Sequence, residues 1–496
     1  MAAQNQKVRV RFAPSPTGFL HVGGVRTALF NWLFARKNDG VFILRFEDTD
    51  LDRSKEELVQ PMLDSIRWLG LDWQEGPEVG GDYGPYFQGL RIDSHREAAD
   101  RLIAENKAYR CYCTVEELKV MRAEAQSVGR SFRYPGRCRE LNEQQRAERE
   151  AKGMPSVIRL KTPAAGQVVV ADIIHGDIAF PSDSFDDFII IRSDGIPTYN
   201  FAVVVDDHHM RISHVIRAEE HLSNTPRQML VYEALDYPLP QFAHVPMVLA
   251  PNRAKLSKRH GGVAVEEFRE GGYLPEAILN YLALLGWSPG DGREIISIEE
   301  MVEAFSLERV SHTPAVYDVE KLTWMNGQYL RSTSLERVLE AAFPRLRAAG
   351  YVDFDDPTAA GTYLREAIDL VRQRVRTLHE LIGGISYFFD EIDSYDRADV
   401  KKRFAKEGVE ELLVEAVSRL EDLDTFNADE LEQTYRTICE EQGTGTGKLF
   451  HATRLAISGR TVGPGLFDIM ILLGRERCIK RLKAAVHYIR GMAEVR

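Results

Sequence analysis

Nowhere in its 496 residues does the sequence hold a run of about 18 apolar residues, the length a membrane-spanning helix needs. Its opening segment, Met1 to Lys7, is polar and lacks the apolar stretch of a secretory leader. Both absences set the expectation of a cytoplasmic protein with no membrane partner. Cysteine is scarce as well. Five in so long a chain, an odd number, argue against a disulfide framework and for reduced thiols or a metal site. Positive charge is also in deficit, with 63 Lys and Arg against 75 Asp and Glu. A net charge of -12 excludes wholesale coating by nucleic acid but leaves room for a local basic patch. One candidate is the end of the chain, where eight Lys or Arg between Arg460 and Arg496 stand against three Asp or Glu; a solvated helix face has the same composition. Internal repeats and low-complexity tracts are absent.

What is present is an ordinary globular balance, 44% hydrophobic and 28% charged, in a length that corresponds to about three domains. Val8, Val10 and Phe12 alternate with Lys7, Arg9 and Arg11 as a strand does, and Pro14, Pro16 and Gly18 end it. Val25, Ala28, Leu29, Trp32 and Leu33 then mark one face of a helix. The continuous apolar run Val41 to Leu44 reads as a strand buried on both faces, delivering Glu47, Asp48 and Asp50 at its C-terminal end. Strand, glycine-containing turn, helix and strand make a βαβ unit, whose ligands bind beyond the strand C-termini. From about Glu105 to Tyr199 the rhythm breaks into clustered cysteines and β-rich stretches such as Val168 to Val170 and Phe188 to Ile191, as an insertion would. Further strands are expected at Ala202 to Val205 and His244 to Leu249. Beyond about Gly262 the pattern turns helical, with a linker at Ser332 to Ser334. Ile368, Val371, Val375 and Leu378 keep helical spacing, as do Val409, Leu412, Leu413, Ala416 and Leu420. Pro61, after a capping box formed by Ser54 and Glu57, is expected to kink or restart a helix. The fold class is α/β: a doubly wound, Rossmann-like parallel sheet carrying an α+β insertion, followed by α-helical domains.

Two short motifs carry phosphate chemistry. His21-Val22-Gly23-Gly24 lies between the first strand and its helix, where backbone N–H groups and the helix dipole favour an anion and glycine admits a large ligand. Alone, it equally describes a tight turn with a chance histidine. Lys255-Leu256-Ser257-Lys258-Arg259 follows a predicted strand and offers ammonium groups to a polyphosphate leaving group; alone, it is also an ordinary basic surface loop. Each sits after a sheet strand, suited to opposite ends of one ATP. Gly443 to Lys448 imitates a P-loop but has Gln442 at the first glycine position and Leu449 where Ser or Thr must reach magnesium. Asp206-Asp207-His208-His209 follows a predicted strand and imitates a catalytic metal site.

Ala13 to Gly18 with His21 to Gly24, and Lys255 to Arg259, resemble the two signatures of class I aminoacyl-tRNA synthetases. Ala28 to Trp32, Arg45 to Asp50, Tyr199 to Phe201 with Asp206 and Asp207, and Arg217 to Glu220 are similar to the bacterial glutamyl-tRNA synthetases within that class. The resemblance runs from about Arg9 to Leu330 and more weakly to Arg460. It implies a glutamate–tRNA ligase acting on L-glutamate, ATP with Mg2+, and tRNA(Glu), working as a monomer and needing bound tRNA for activation. Arg11 and Arg217 match the arginines that hold substrate carboxylates, and a buried guanidinium fork rejects a neutral amide. Glu47 matches the group that takes the substrate ammonium, and Tyr199 a wall of the same pocket. Ser15 and Glu220 match flanking contacts to amino acid or nucleotide. Gly18, His21, Gly23, Gly24, Lys255, Ser257 and Lys258 fall on the ATP signatures, with His21, Lys255 and Lys258 as the catalytic groups. Cys111, Cys113 and Cys138 match a zinc site whose fourth ligand in the family is a histidine; Glu140 stands there, and a carboxylate can bind zinc. Reduced structural thiols are the alternative.

The implied domains are a catalytic domain in two halves, 1–104 and 201–262, an insertion for the acceptor end at 105–200, a helical stem-contact region at 263–332 and a helical anticodon-binding domain at 333–496. Helical periodicity after Leu330 separates this chain from glutaminyl-tRNA synthetases, which end in β-barrels, and its length from the truncated relative that modifies a tRNA base. A small-molecule adenylyltransferase would not need the Lys255 to Arg259 loop, and a silent tRNA-binding protein would not need His21 and Lys258. Left open is whether glutamine tRNA is charged as well. Lys258→Ala is expected to lower turnover far more than tRNA affinity; unchanged turnover in steady-state charging would remove Lys258 from the leaving-group role.

Overall fold

Arg9–Phe12 (β1) and Val41–Leu44 (β2) pair in parallel register, Arg9 beside Val41 through Phe12 beside Leu44, and every residue of both is buried. That double-sided burial is why β2 is apolar throughout. The intervening helix, Val22–Lys37, buries Val25, Ala28, Leu29, Trp32 and Leu33. It also buries two polar residues that fasten it: Asn31 donates to Ile216 O at 3.0 Å, and Arg26 donates to Leu285 O at 2.7 Å and to Pro246 O. The computed structural model describes residues 7–49, 56–129, 132–163, 165–256 and 264–494. The chain forms two compact units, Met1–Phe268 with Ile278–Asp318, and Arg269–Ala277 with Val319–Arg496.

In the first unit Ala108–Cys111 (β3) and Val157–Leu160 (β4) run antiparallel. Gln167–Asp172 (β5) and Gly176–Pro181 (β6) form a hairpin, and Ile189–Ile191 (β7) returns to β4. His214–Ala218 (β8) and Gln241–Val245 (β9) are parallel, and β9 accepts β5 where Asp172 meets Phe242, giving the order β6-β5-β9-β8. The inserted β5–β6 hairpin thus extends a sheet that β8 and β9 begin. Ser213 N–H donates to Arg9 O at 2.9 Å, which sets β1 beside β8. Pro246 ends β9, since it has no N–H to donate, and Val248–Leu249 (β10) then pairs with Ala315–Val316 (β11).

The strand expected at Ala202 to Val205 is a helix, Tyr199–His209, buried continuously from Phe201 to Asp207. A four-residue apolar run fits a buried helix as well as a buried strand, and tertiary enclosure overrides the β preference of three valines. Asp206 and Asp207 therefore end a core helix instead of following a strand. Asp206 accepts from Gln88 Nε2 at 2.8 Å and Arg91 Nε at 2.6 Å, with His95 Nε2 at 2.9 Å. Asp207 accepts from Arg11 Nε at 3.1 Å and Arg45 Nη1 at 2.8 Å. Pro61 lies in the first turn of the helix Val59–Trp68, where no backbone N–H is required, so the helix starts there without a kink. Ser54, of the expected capping box, lies outside the described residues.

The second unit is helical. Leu412, Leu413, Ala416 and Leu420 form the buried stripe of Val409–Asp422. Ile368 and Val371 do so in Thr362–Arg372, but that helix ends before Val375, and Leu378 opens another, Leu378–Phe389. Thr377 makes the break by accepting from Glu380 N at 3.1 Å. Ser332 ends the helix Val319–Ser332, and Ser334 caps the next through Arg337 N at 3.3 Å. The helix Thr446–Ser458 begins inside the glycine run that imitates a P-loop.

Burial alone would raise the pKa of Asp206; the His95 hydrogen bond and the charges of Arg45, His95 and Arg91 reverse this and hold it well below the usual carboxylate range. A depressed carboxylate contributes stability above its unfolded pKa of about 4, and that contribution is lost as the pH falls through its folded value. Asp206→Asn strands the buried Arg91, and at pH 7 it is expected to cost about 3–5 kcal/mol in urea unfolding. The difference from the parent chain should shrink on acidification; a constant difference would contradict this assignment.

Candidate active site

One pocket of about 1000 Å3 opens at the C-terminal ends of β1 and β8. Arg11, Ser15, Gly18, His21, Gly23, Gly24, Glu47, Tyr199, Arg217, Glu220 and Lys255 all line it. Every pocket residue expected from sequence that the structure describes is therefore in one place. Ser257 and Lys258, with Arg259, lie outside the described residues.

His21 occupies the N-cap of the helix Val22–Lys37, and its carbonyl accepts from Val25 N–H at 2.8 Å. A Cβ built on Gly18 or Gly23 would meet no atom of the described residues within 4 Å, so among these the backbone leaves room for a ligand. Leu20 O accepts from Val265 N–H at 3.0 Å and His21 bridges to Ala264, which brings the segment after the basic motif against the first. At the other side Lys255 Nζ stands 2.8 Å from the Glu220 carboxylate, with both exposed. An exposed pair of this kind contributes under about 1 kcal/mol, so Lys255 is readily released to an anion.

The floor is a charge cluster. Arg11 and Arg45 share the Asp207 carboxylate, and Arg45 Nη2 reaches Glu47 at 3.3 Å. Burial raises the Glu47 pKa, and Arg45 and Arg11 only partly offset it. Arg217 is held differently. Its Nε donates to His244 Nε2 at 3.2 Å, and its Nη2 donates to Thr225 Oγ1 at 2.7 Å and Gln228 Oε1 at 2.8 Å. Nη1 is buried with no hydrogen-bond partner among the described residues. Burial lowers the Arg217 pKa, yet a guanidinium remains charged at pH 7. Among the described residues this buried cation is hydrogen-bonded to neutral groups only, with both N–H groups of Nη1 unpaired. Tyr199 OH lies 3.2 Å from His221 Nδ1, and burial together with Arg217 pushes the His221 pKa down to about 4, so this imidazole is neutral at pH 7.

Thr225, Gln228, His221 and His244 escaped the sequence reading. The first three follow Arg217 within eleven residues at helical spacing, i, i+4 and i+7, but polar residues on one helical face read as a solvated face, and His244 sits in a strand as any core residue would. No sequence signal marks them.

Away from the pocket, the sulfurs of Cys111, Cys113 and Cys138 lie within 4.8 Å of one another. Cys113 and Cys138 Sγ are 3.7 Å apart, and two sulfurs bound tetrahedrally to one zinc at about 2.3 Å would be about 3.8 Å apart. Glu140, expected as the fourth ligand, is not part of this group: it is exposed in the turn after Cys138. The oxygen among the sulfurs is that of Tyr134, which accepts from Cys111 Sγ at 3.2 Å and from Cys138 N–H at 3.0 Å and lies 3.6 Å from Cys113 Sγ. A two-residue step places the side chain at 140 on the solvent side of a turn, whereas Tyr134 is buried and reaches back. The donor set fits a soft divalent cation.

A family model for class I tRNA synthetases (E and Q), catalytic domain, matches residues 7–324. The chain belongs to that family. An anticodon-binding domain model matches residues 335–486. The glutamate–tRNA ligase of Moorella thermoacetica is 56% identical over 484 residues, covering 98% of this chain and 99% of the relative. Glutamate–tRNA ligase 1 of Caldanaerobacter subterraneus is 53% identical over 487 residues, 97% and 98% of the two chains. The crystal structure of a glutamate tRNA ligase from Elizabethkingia meningosepticum in complex with its amino acid superposes with a TM-score of 0.88 at 36% identity, covering 97% of this chain and 99% of that one. Among the described residues no helix is long and apolar enough to cross a membrane. The family's architecture, a parallel-sheet catalytic domain followed by a helical anticodon domain, is the one described above.

Proposed function

We propose that the chain joins L-glutamate to the 3′-terminal ribose of tRNA(Glu) in two ATP-dependent steps, as a cytoplasmic monomer. The observation that carries this reading is Arg217, a buried guanidinium whose hydrogen-bond partners are neutral and whose Nη1 has none among the described residues. It calls for an anionic ligand, and a carboxylate satisfies it where a carboxamide leaves the charge unpaired. Arg11, already engaged by Asp207, contributes charge from the neighbouring strand β1. Glu47, whose carboxylate is penalised by burial, gains from a substrate ammonium. Tyr199 and Ser15 bound the amino acid.

In the first step the glutamate α-carboxylate, ionised at pH 7, attacks the α-phosphorus of ATP; the bond to the β-phosphate bridging oxygen breaks and pyrophosphate leaves with its electron pair. No general base is needed. Positioning and charge stabilisation do the catalysis. His21 and the open backbone at Gly18, Gly23 and Gly24 face one end of the nucleotide, and Lys255, Ser257 and Lys258 serve the leaving group, with Glu220 holding Lys255 until ATP arrives. Magnesium enters with ATP as part of that substrate. In the second step a terminal ribose hydroxyl attacks the mixed anhydride, AMP leaves, and the ester remains on the tRNA. Residues 105–200 serve the acceptor end, 263–332 the stem, and 333–496 the anticodon.

Cys111, Cys113 and Cys138 hold a zinc ion, with the Tyr134 oxygen in the fourth position that sequence reading gave to Glu140. Zinc there ties β3 to the loop before Cys138. Metal analysis of dialysed protein is expected to give one zinc per chain, retained in Glu140→Gln and lost in Cys138→Ser; a chain free of zinc would end this assignment.

Purified glutamate tRNA, labelled glutamate, ATP and magnesium should yield charged tRNA. Charging of glutamate tRNA alone identifies a discriminating ligase and charging of glutamine tRNA as well a non-discriminating one. Charging of neither by folded enzyme with active tRNA would overturn the reading.

A further inference from the structure

The second neighbourhood of Arg217 contains a chain of groups that the reaction described above does not use. Asp172, the last residue of β5, is buried, and its Oδ2 accepts both His244 N–H at 3.0 Å and His244 Nδ1–H at 2.7 Å. Its Oδ1 accepts from the backbone of Ile174 and His175 at 3.0 Å each. Four acceptor contacts leave no lone pair facing the cavity. On the far side of the ring, His244 Nε2 lies 3.2 Å from Arg217 Nε and 2.9 Å from Thr225 Oγ1. An arginine Nε can only donate, so His244 Nε2 must accept, and the ring's single proton must be on Nδ1. Asp172 fixes that tautomer.

Charge spacing gives this arrangement its consequence. Were a carboxylate in direct contact with Arg217, as Asp207 is with Arg11 and Arg45, the guanidinium would be neutralised before any substrate arrived. Here a neutral imidazole stands between anion and cation. It pins the guanidinium plane through Nε, while Thr225 and Gln228 take Nη2, and Nη1 is buried without a partner among the described residues. We propose that His244 and Asp172 are positioning residues for substrate selection: neutral His244, its tautomer set by Asp172, orients Arg217 without neutralising it, so that the pocket prefers a carboxylate to a carboxamide. This rests on the function proposed above and adds to it two residues that contact neither substrate. The strand that supplies Asp172 belongs to the β5–β6 hairpin, so the amino-acid pocket takes part of its alignment from the inserted segment.

The test is steady-state charging by the full chain with glutamate, ATP and tRNA varied separately, in His244→Asn, His244→Gln and Asp172→Asn. The Asn side chain reaches only the Nδ1 position and loses the acceptor for Arg217. Gln places its amide oxygen near the Nε2 position and keeps it. Loss of a hydrogen bond to a charged group corresponds to about tenfold or more in affinity. His244→Asn is therefore expected to raise the glutamate KM at least about tenfold and to narrow the preference for glutamate over glutamine, with kcat at saturating glutamate and the KM for ATP near parent values. His244→Gln should recover most of the loss, and Asp172→Asn should fall between them. An unchanged glutamate KM in His244→Asn, or an equal rise in Asn and Gln variants, or a uniform fall in kcat with a raised ATP KM, overturns the proposal. If His244→Asn does not fold, the Gln and Asp172→Asn chains decide it: parent-like KM in the first with a raised KM in the second supports it, and the reverse order overturns it. Failure of the parent chain to charge at all would instead refute the function on which the proposal rests.

Discussion

Two adjacent carboxylates at the end of one buried helix hold the catalytic unit in its working shape. Asp206 gathers Gln88, Arg91 and His95, and Asp207 gathers Arg11 from β1 and Arg45 from just beyond β2. Neither carboxylate can be moved without leaving a guanidinium in the core with no anion, which costs more than any one apolar contact nearby supplies. The helix that carries them also carries Tyr199 at its other end, so the pocket wall and the charge cluster are parts of a single rigid element. Position 45 shows how the balance is struck. Burial would lower the Arg45 pKa, and Asp207, Asp206 and Glu47 together reverse it.

Much of this was legible in the sequence because it depends on local period or fixed motif. A strand buried on both faces has to be apolar, which identifies Val41 to Leu44. A helix packed on a sheet has to repeat near 3.6, which identifies Val25 through Leu33. Glycine beside a helix N-terminus leaves room for a ligand, and no atom of the described residues crowds Gly18 or Gly23. Period fails where burial surrounds an element. Phe201 to Val205 carries no amphipathic signal because every side is covered, and three valines then mislead toward a strand.

Partnership is harder to read than period. Nothing in the order of residues says that Asp172 meets His244 across 72 positions, or that Tyr134 in place of Glu140 puts its oxygen among three thiols. The sulfur cluster itself was legible, since Cys111-x-Cys113 and Cys138 carry a spacing. The Tyr134 oxygen beside it was not, because its approach is a matter of loop geometry, as is the turn that exposes Glu140.

The contrast of Arg11 and Arg45 with Arg217 bears on how one fold can both stabilise charge and, on the proposed reading, select it. Arg11 and Arg45 lean on Asp207, so they serve structure first, and their field in the pocket is reduced by the carboxylate they share. Arg217 leans on an imidazole, a hydroxyl and an amide, none of which carries charge at pH 7, and Asp207 and Glu47 act on it only through space. Such an arrangement costs stability in the empty pocket, because the cation is desolvated without an ion partner. A carboxylate ligand removes that cost on binding and a carboxamide does not. On the proposed reading, selection by charge comes from withholding a hydrogen-bonded protein anion from Arg217, and the neighbours that hold it must be polar enough to fix its plane and neutral enough to leave its charge intact.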